Sequence, residues 1–247
     1  MASTSETGHA KNVANFDFII TDITSYGETY NPSKASLKIP ALTVLSTTSK
    51  NAVNAVSVAD LNLKLAKDAR DAAFKPFSTL VTKIINALKA TDTTVQVDET
   101  AQSIVRKLQG RRATPKKTEE QKKVAADAGK EIVEISSSQM SYDSRIENFD
   151  KLIKLLTSVP QYTPNEKELK IETLIDVLND LKAKNLAVTT AEIPLNNARI
   201  ARNDILYKPN TGMVDVALDV KIYIKSVFGA SSPQYKKISG IKFSKPR

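Results

Sequence analysis

Cysteine and tryptophan are absent from the sequence, and histidine occurs once, at His9. Without thiols the chain forms no disulfide, offers no thiolate nucleophile and holds no cysteine-ligated zinc or iron–sulfur centre. With its one histidine in a polar opening stretch, it has no imidazole placed for a Ser–His–Asp triad, an H-E-x-x-H zinc helix or a carboxylate–histidine di-iron bundle. The seven glycines stand apart, so neither G-x-G-x-x-G nor the phosphate-cradling G-x-x-x-x-G-K-[ST] is present. No run approaches the ~18 apolar residues of a membrane-spanning helix. Met1 to Asn15 lacks the apolar core of a secretory signal and reads as a polar tail. These absences predict a non-enzymatic chain with no catalytic residue, cofactor or metal, and the cytoplasm as its location. Carboxylates remain, but Glu166, Glu168 and Glu172 cluster where a helix start favours negative charge. Asp68 and Asp71 flank Arg70 as surface charges do.

What the chain has is Leu, Ile, Val and Ala, with aromatics at only 6%. Such side chains suit helices packed closely along their lengths, and the expected class is all-α. Residues also recur in order. Asn15-Phe16-Asp17 returns as Asn148-Phe149-Asp150, and Tyr30-Asn31-Pro32 as Tyr162-Thr163-Pro164. Leu37-Lys38-Ile39 and Leu42 match Leu169-Lys170-Ile171 and Leu174. At that offset Ala55-Val56, Ala59 and Leu63 meet Ala187-Val188, Ala191 and Leu195; Ala66, Ala69 and Arg70 meet Ala198, Ala201 and Arg202. After a one-residue slip Lys75-Pro76 meets Lys208-Pro209. An ordered series of this kind predicts a duplicated unit.

The layout expected from it is a flexible tail over 1–14, a helical repeat over 15–110, a charged linker over 111–142 and a second repeat over 143–230. A basic tail follows over 231–247. Ile171, Leu174, Leu178, Leu181 and Val188 step by threes and fours, leaving Asn185 as the polar residue in the seam, which is helical periodicity. Asn31 and Thr163 fit N-caps, with Pro32 and Pro164 at the first helical position. Helices begun there would run about 40 residues, or about 60 Å, giving an elongated bundle. Pro40 and Pro194 would bend them, or Pro40 would mark the true start. Tyr207 to Gly212 carries the chemistry of a real break, while Phe74 to Ser78 reads as a kink. Gly110 and Gly229 sit where helices end. The linker, dense in Lys, Arg and Glu, becomes helical between Thr118 and Ile135.

Two features point to partners. Arg70 and Arg202 share an Ala-x-x-Ala-Arg stretch, which fits either a symmetric anion or partner site or an ion pair to Asp71 or Asp204. After Asp219 the chain has no acidic residue, whereas Lys221, Lys225, Lys236, Lys237, Lys242, Lys245 and Arg247 are basic. Tyr223, Phe228, Tyr235 and Phe243 are interleaved with them, as in contacts that pair charge with phosphate and rings with bases. Ile238 and Ile241 instead suggest a tail that packs back. The leading expectation is a structural or interaction protein that self-assembles or bridges partners. Nucleic-acid or anionic-surface binding through the basic end is the alternative, and a pore-forming-like, membrane-acting bundle comes third.

The stretch from Tyr162 to Lys184, with Arg202-Asn203 through Tyr207, Val227-Phe228-Gly229-Ala230 and Ser232-Pro233-Gln234-Tyr235, resembles a family of duplicated helical proteins from environmental Bacteroidota. The resemblance covers most of the chain and implies a bacterial origin and the duplicated layout. It brings no activity and no binding residue to transfer.

Overall fold

The computed structural model describes residues 8–111 and 140–245, and all regular structure among them is helical. Helix α1 is His9–Thr24, α2 is Ile39–Phe74, α3 is Phe77–Lys89 and α4 is Val95–Leu108. Beyond the linker come α5 at Tyr142–Thr157, α6 at Ile171–Tyr207, α7 at Met213–Phe228 and the short α8 at Pro233–Ser239. The expected helical start inside the linker lies outside the described residues. No helix among the described residues is long and apolar enough to cross a membrane.

The chain forms two compact units, one of Met1–Lys64 with Ala191–Arg247 and the other of Leu65–Thr190. Neither coincides with an expected repeat. Unit 1 combines α1 and the first part of α2 with the last part of α6, α7 and α8. Unit 2 combines the last part of α2, α3 and α4 with α5 and the first part of α6. Each therefore takes the opening elements of one stretch and the closing elements of the other.

The two cores are built alike. Phe16, Ile19, Ile23 and Leu42 are sealed in unit 1 with Met213, Ala217, Val220 and Ile224. Phe149, Leu152, Leu156 and Leu174 are sealed in unit 2 with Phe77, Val81, Ile84 and Leu88. Phe77, Val81, Ile84 and Leu88 have the same sequence spacing as Met213, Ala217, Val220 and Ile224, so one helical face is buried in each case. The predicted seam of α6 also holds, with Leu174, Leu178, Leu181 and Val188 all buried.

The approaches to α2 and α6 repeat in detail. Tyr30 Oη donates to Leu37 O at 2.7 Å, and Tyr162 Oη donates to Leu169 O at 3.0 Å. A 3-10 turn follows in each, at Ala35–Leu37 and Lys167–Leu169, ending on an extended lysine. Lys38 has φ −67° and ψ 142°, and Lys170 has φ −64° and ψ 142°. These loops wrap a buried tyrosine, so α2 and α6 begin at Ile39 and Ile171 rather than beside Pro32 and Pro164. Pro40 is thus the second residue of α2, where a missing N–H costs nothing, while Pro194 lies inside α6.

Other boundaries sharpen the sequence reading. Residues 9–14, expected in the opening tail, form the first turns of α1, with Asn12 and Val13 buried. Phe74-Lys75-Pro76 is a helix break rather than a kink, since α3 starts afresh at Phe77. Gly229 ends α7 with φ 86°, and Gly110 follows α4 with φ 68°, both in the region a side chain disfavours. At the break before α7, Gly212 N donates to Lys208 O at 2.8 Å. A Cβ on Gly212 would lie 2.6 Å from the Lys208 backbone nitrogen, so the turn closes only on glycine.

Candidate functional site

Arg70 lies in unit 2, its side chain 17% exposed, with Cζ 3.8 Å from the centre of the Tyr142 ring. One guanidinium nitrogen donates to Asn185 Oδ1 at 3.4 Å, and Nε stands 3.8 Å from Asp71 Oδ1. Tyr142 Oη donates to Asp71 Oδ1 at 2.5 Å, which with burial raises the phenol pKa. Asn185 Nδ2 donates in turn to Asp143 Oδ1 at 2.7 Å. The polar residue in the α6 seam thereby links Arg70 to α5. Arg145 stacks beside, with Cζ 4.7 Å from the Phe74 ring and 5.1 Å from the Phe77 ring. Stacked guanidinium groups in this setting tie helices together.

Arg202 lies in unit 1 in different company. Its Nε and one terminal nitrogen donate to the neighbouring Asn203 Oδ1 at 3.1 and 2.8 Å. The ring beside it is His9, whose Nδ1 is 2.6 Å from Tyr207 Oη. Burial, and then the Arg202 charge, push the His9 pKa down, which keeps the imidazole neutral. Tyr207 Oη also accepts from Asn12 Nδ2 at 3.2 Å. Arg70 and Arg202 thus lie in different units, each with its own partners.

The basic end packs back on unit 1, as Ile238 and Ile241 suggested. Ile238 is fully buried, and Ser232 caps α8 by accepting from Tyr235 N at 3.1 Å. Lys237 pairs with Asp22, whose side chain is only 3% exposed and also accepts from Tyr26 Oη. Lys221 donates to the carbonyls of Ile241 and Ser239, with Nζ 5.4 Å from the Phe243 ring, and burial lowers its pKa. Lys245 pairs with Asp215 at 2.7 Å and holds that carboxyl below its ordinary range. Lys225 lies 5.8 Å from the Tyr235 ring. Lys236 and Lys242 are exposed without an ion pair among the described residues, and Arg247 lies outside them.

Sequence reasoning missed the contact that ties this segment down. The carboxamide of Asn12, 1% exposed, donates to Ser244 O at 2.7 Å and accepts from Ser244 N at 3.0 Å. It pairs with the strap as a neighbouring backbone would. Asn15 Nδ2 adds a bond to Lys242 O at 2.8 Å. No local pattern marks such asparagines.

Two further surfaces stand out. In unit 2 a groove of about 600 Å³ has Ala73, Phe77, Leu80, Val177 and Leu181 at its base. Lys83, Glu168, Asp176 and Asp180 rim it. In unit 1 large aliphatic side chains face solvent on the long helices: Leu61 on α2 is 56% exposed, and Ile193 and Ile200 on α6 are 59% and 61% exposed. Leu61 and Ile193 stand at the offset that relates Leu63 to Leu195. No protein-family model matches the chain, and neither a curated protein nor a solved structure matches it.

Proposed function

We propose that the protein is a duplicated, non-enzymatic helical scaffold that acts by contact, associating with copies of itself or bridging partners. The duplication is supported by the twin tyrosine–leucine turns, the like-spaced buried faces of α3 and α7, and the paired burial of Leu63 and Leu195. The single observation that carries the contact role is the exposure of Leu61, Ile193 and Ile200 in unit 1. Leu61 and Ile193, exposed at related positions of the two copies, give a matching surface for association, which Ile200 extends in the second copy alone. The basic end enters as a strap, because Lys221, Lys237 and Lys245 are already engaged within unit 1.

Sedimentation velocity from micromolar to millimolar concentration tests the proposal. Mass should rise with concentration for the native chain and stay at one chain for Leu61→Asp and Ile193→Asp. A strict monomer at every concentration, with no partner recovered on the immobilised chain, would remove it.

A further inference from the structure

Where the two copies differ, they differ in matched ways across each unit. In unit 1 a cation before the 3-10 turn, Lys34, pairs with an anion on α7, Asp219, at 2.5 Å. In unit 2 an anion in the corresponding turn, Glu168, pairs with a cation on α3, Lys83, at 2.7 Å. Lys83 and Asp219 occupy the same place in their helices, three residues after Leu80 and Val216, by the spacing that relates Phe77 to Met213. The helix position is shared and its charge is inverted, while its partners, Lys34 and Glu168, stand two places apart at the repeat offset, which matches Lys34 with Glu166.

The aromatic junction shows the same crossing. His9 and Asn12 stand to Tyr142 and Arg145 as Asn15-Phe16-Asp17 stands to Asn148-Phe149-Asp150. Phe74 and Tyr207 correspond likewise, each one residue before the matching Lys-Pro. In unit 1, Tyr207 Oη meets His9 Nδ1 at 2.6 Å and Asn12 Nδ2 at 3.2 Å. In unit 2, Phe74 has no hydroxyl and is met by groups that need none. The Tyr142 ring approaches it edge-on at 4.8 Å, and the Arg145 guanidinium lies 4.7 Å from its centre.

We propose that these crossed differences form a pairing code, in which the opening part of each copy recognises the closing part of the other and rejects the closing part of its own. The proposal rests on the duplication argued above. In a like-with-like pairing, Lys34 would face Lys83 and Glu168 would face Asp219. The buried Asn12 and the half-buried His9 would face Phe74 and lose the hydroxyl. Arg145 would exchange the Phe77 ring for the Met213 side chain. The partner each half is built to accept is the other half of the same chain. The partner it excludes is the same half of a second chain. Exclusion matters because like pairing of each copy with a different chain builds an unclosed series of molecules.

Charge exchange on the full chain tests the code. Lys34→Glu with Asp219→Lys keeps an ion pair in both units but gives both the same polarity, so like pairing becomes attractive. Lys83→Glu with Glu168→Lys does the same from the other side, and all four changes together restore the crossed pattern. Each protein is unfolded in denaturant and refolded at high concentration, and multi-chain species are measured by light scattering after gel filtration. Each is compared with a never-unfolded sample of the same variant. Either double variant should show at least about a threefold excess of multi-chain species over the native chain, as a few exposed charge pairs predict. The fourfold variant should return to the native level. Equal amounts in all four proteins would overturn the code, even with native melting temperatures and intact concentration-dependent association. Absence of association in the never-unfolded samples would count against the scaffold role alone, because the refolding excess is read independently.

Discussion

Tyr30 and Tyr162 are buried side chains doing one task twice, each donating its hydroxyl to the carbonyl of a leucine seven residues on. Burial and, for Tyr162, the nearby Glu166 carboxylate raise both phenol pKa values, that of Tyr162 to about 12. Each hydroxyl stays protonated and remains a donor. Tyr30→Phe and Tyr162→Phe each leave a buried carbonyl unpaired, and each should cost about 1–2 kcal/mol. Urea unfolding checks this; a silent substitution at either site would mean that its turn is held by other contacts.

His9 predicts an acid sensitivity with a definite sign. Its pKa in the folded chain lies below the ordinary 6.5, so the unfolded chain binds more protons between the two values. Stability should therefore fall as pH drops through 6.5 and level off once the folded-state value is passed. Replacing His9→Gln should flatten this part of the profile. Melting temperatures measured from neutral to mildly acidic buffer would decide it. A slope unchanged in the variant would assign the sensitivity elsewhere.

Asn12 predicts what holds the C-terminal strap. Asn12→Ala removes both bonds to Ser244 and the contact with Tyr207, at a cost of about 1–3 kcal/mol. Amide exchange at Ser244 should accelerate strongly, while exchange in α3 and α5 of unit 2 stays as before. Equal protection of Ser244 in the variant would show that the side chains of Lys221 and Lys245 suffice to hold the strap.

Local features were readable from the sequence, and distant ones were not. The seam from Leu174 to Val188, the helix ends at Gly110 and Gly229, and the return of the strap through Ile238 all follow from spacing or residue type. Of the two starts read for α2, Pro40 lies one residue from the observed Ile39 and Pro32 does not; the start of α6 falls later than Pro164 suggests because that residue looks like a first-turn proline. The hydroxyls of Tyr30 and Tyr162, bonded across their loops, hold Pro32 and Pro164 out of the helix. The lysines of the basic end looked free because their acidic partners, Asp22 and Asp215, lie far off in sequence or within α7. The clearest gap is the make-up of the units. Periodicity shows which face of a helix is buried but does not name the segment that covers it, so the sequence left open whether the repeats pack on each other or extend as a rod. Arg70 stands out in the sequence by its repeated Ala-x-x-Ala-Arg setting, yet its partners Tyr142 and Asn185 belong to the other half of the sequence.

The division of the chain into Leu65–Thr190 and the two flanking stretches also sets an order of events during synthesis. Unit 2 has every residue it needs once position 190 has left the ribosome. Helix α1 is made well before α7, so Phe16, Ile19 and Ile23 first have only Tyr30, Leu37 and Leu42 beside them and gain their remaining cover when α7 emerges. At ordinary elongation rates that wait is on the order of ten seconds or more. For that interval the nascent chain carries an apolar helix only partly covered, which makes α1 the natural place for a chaperone to act.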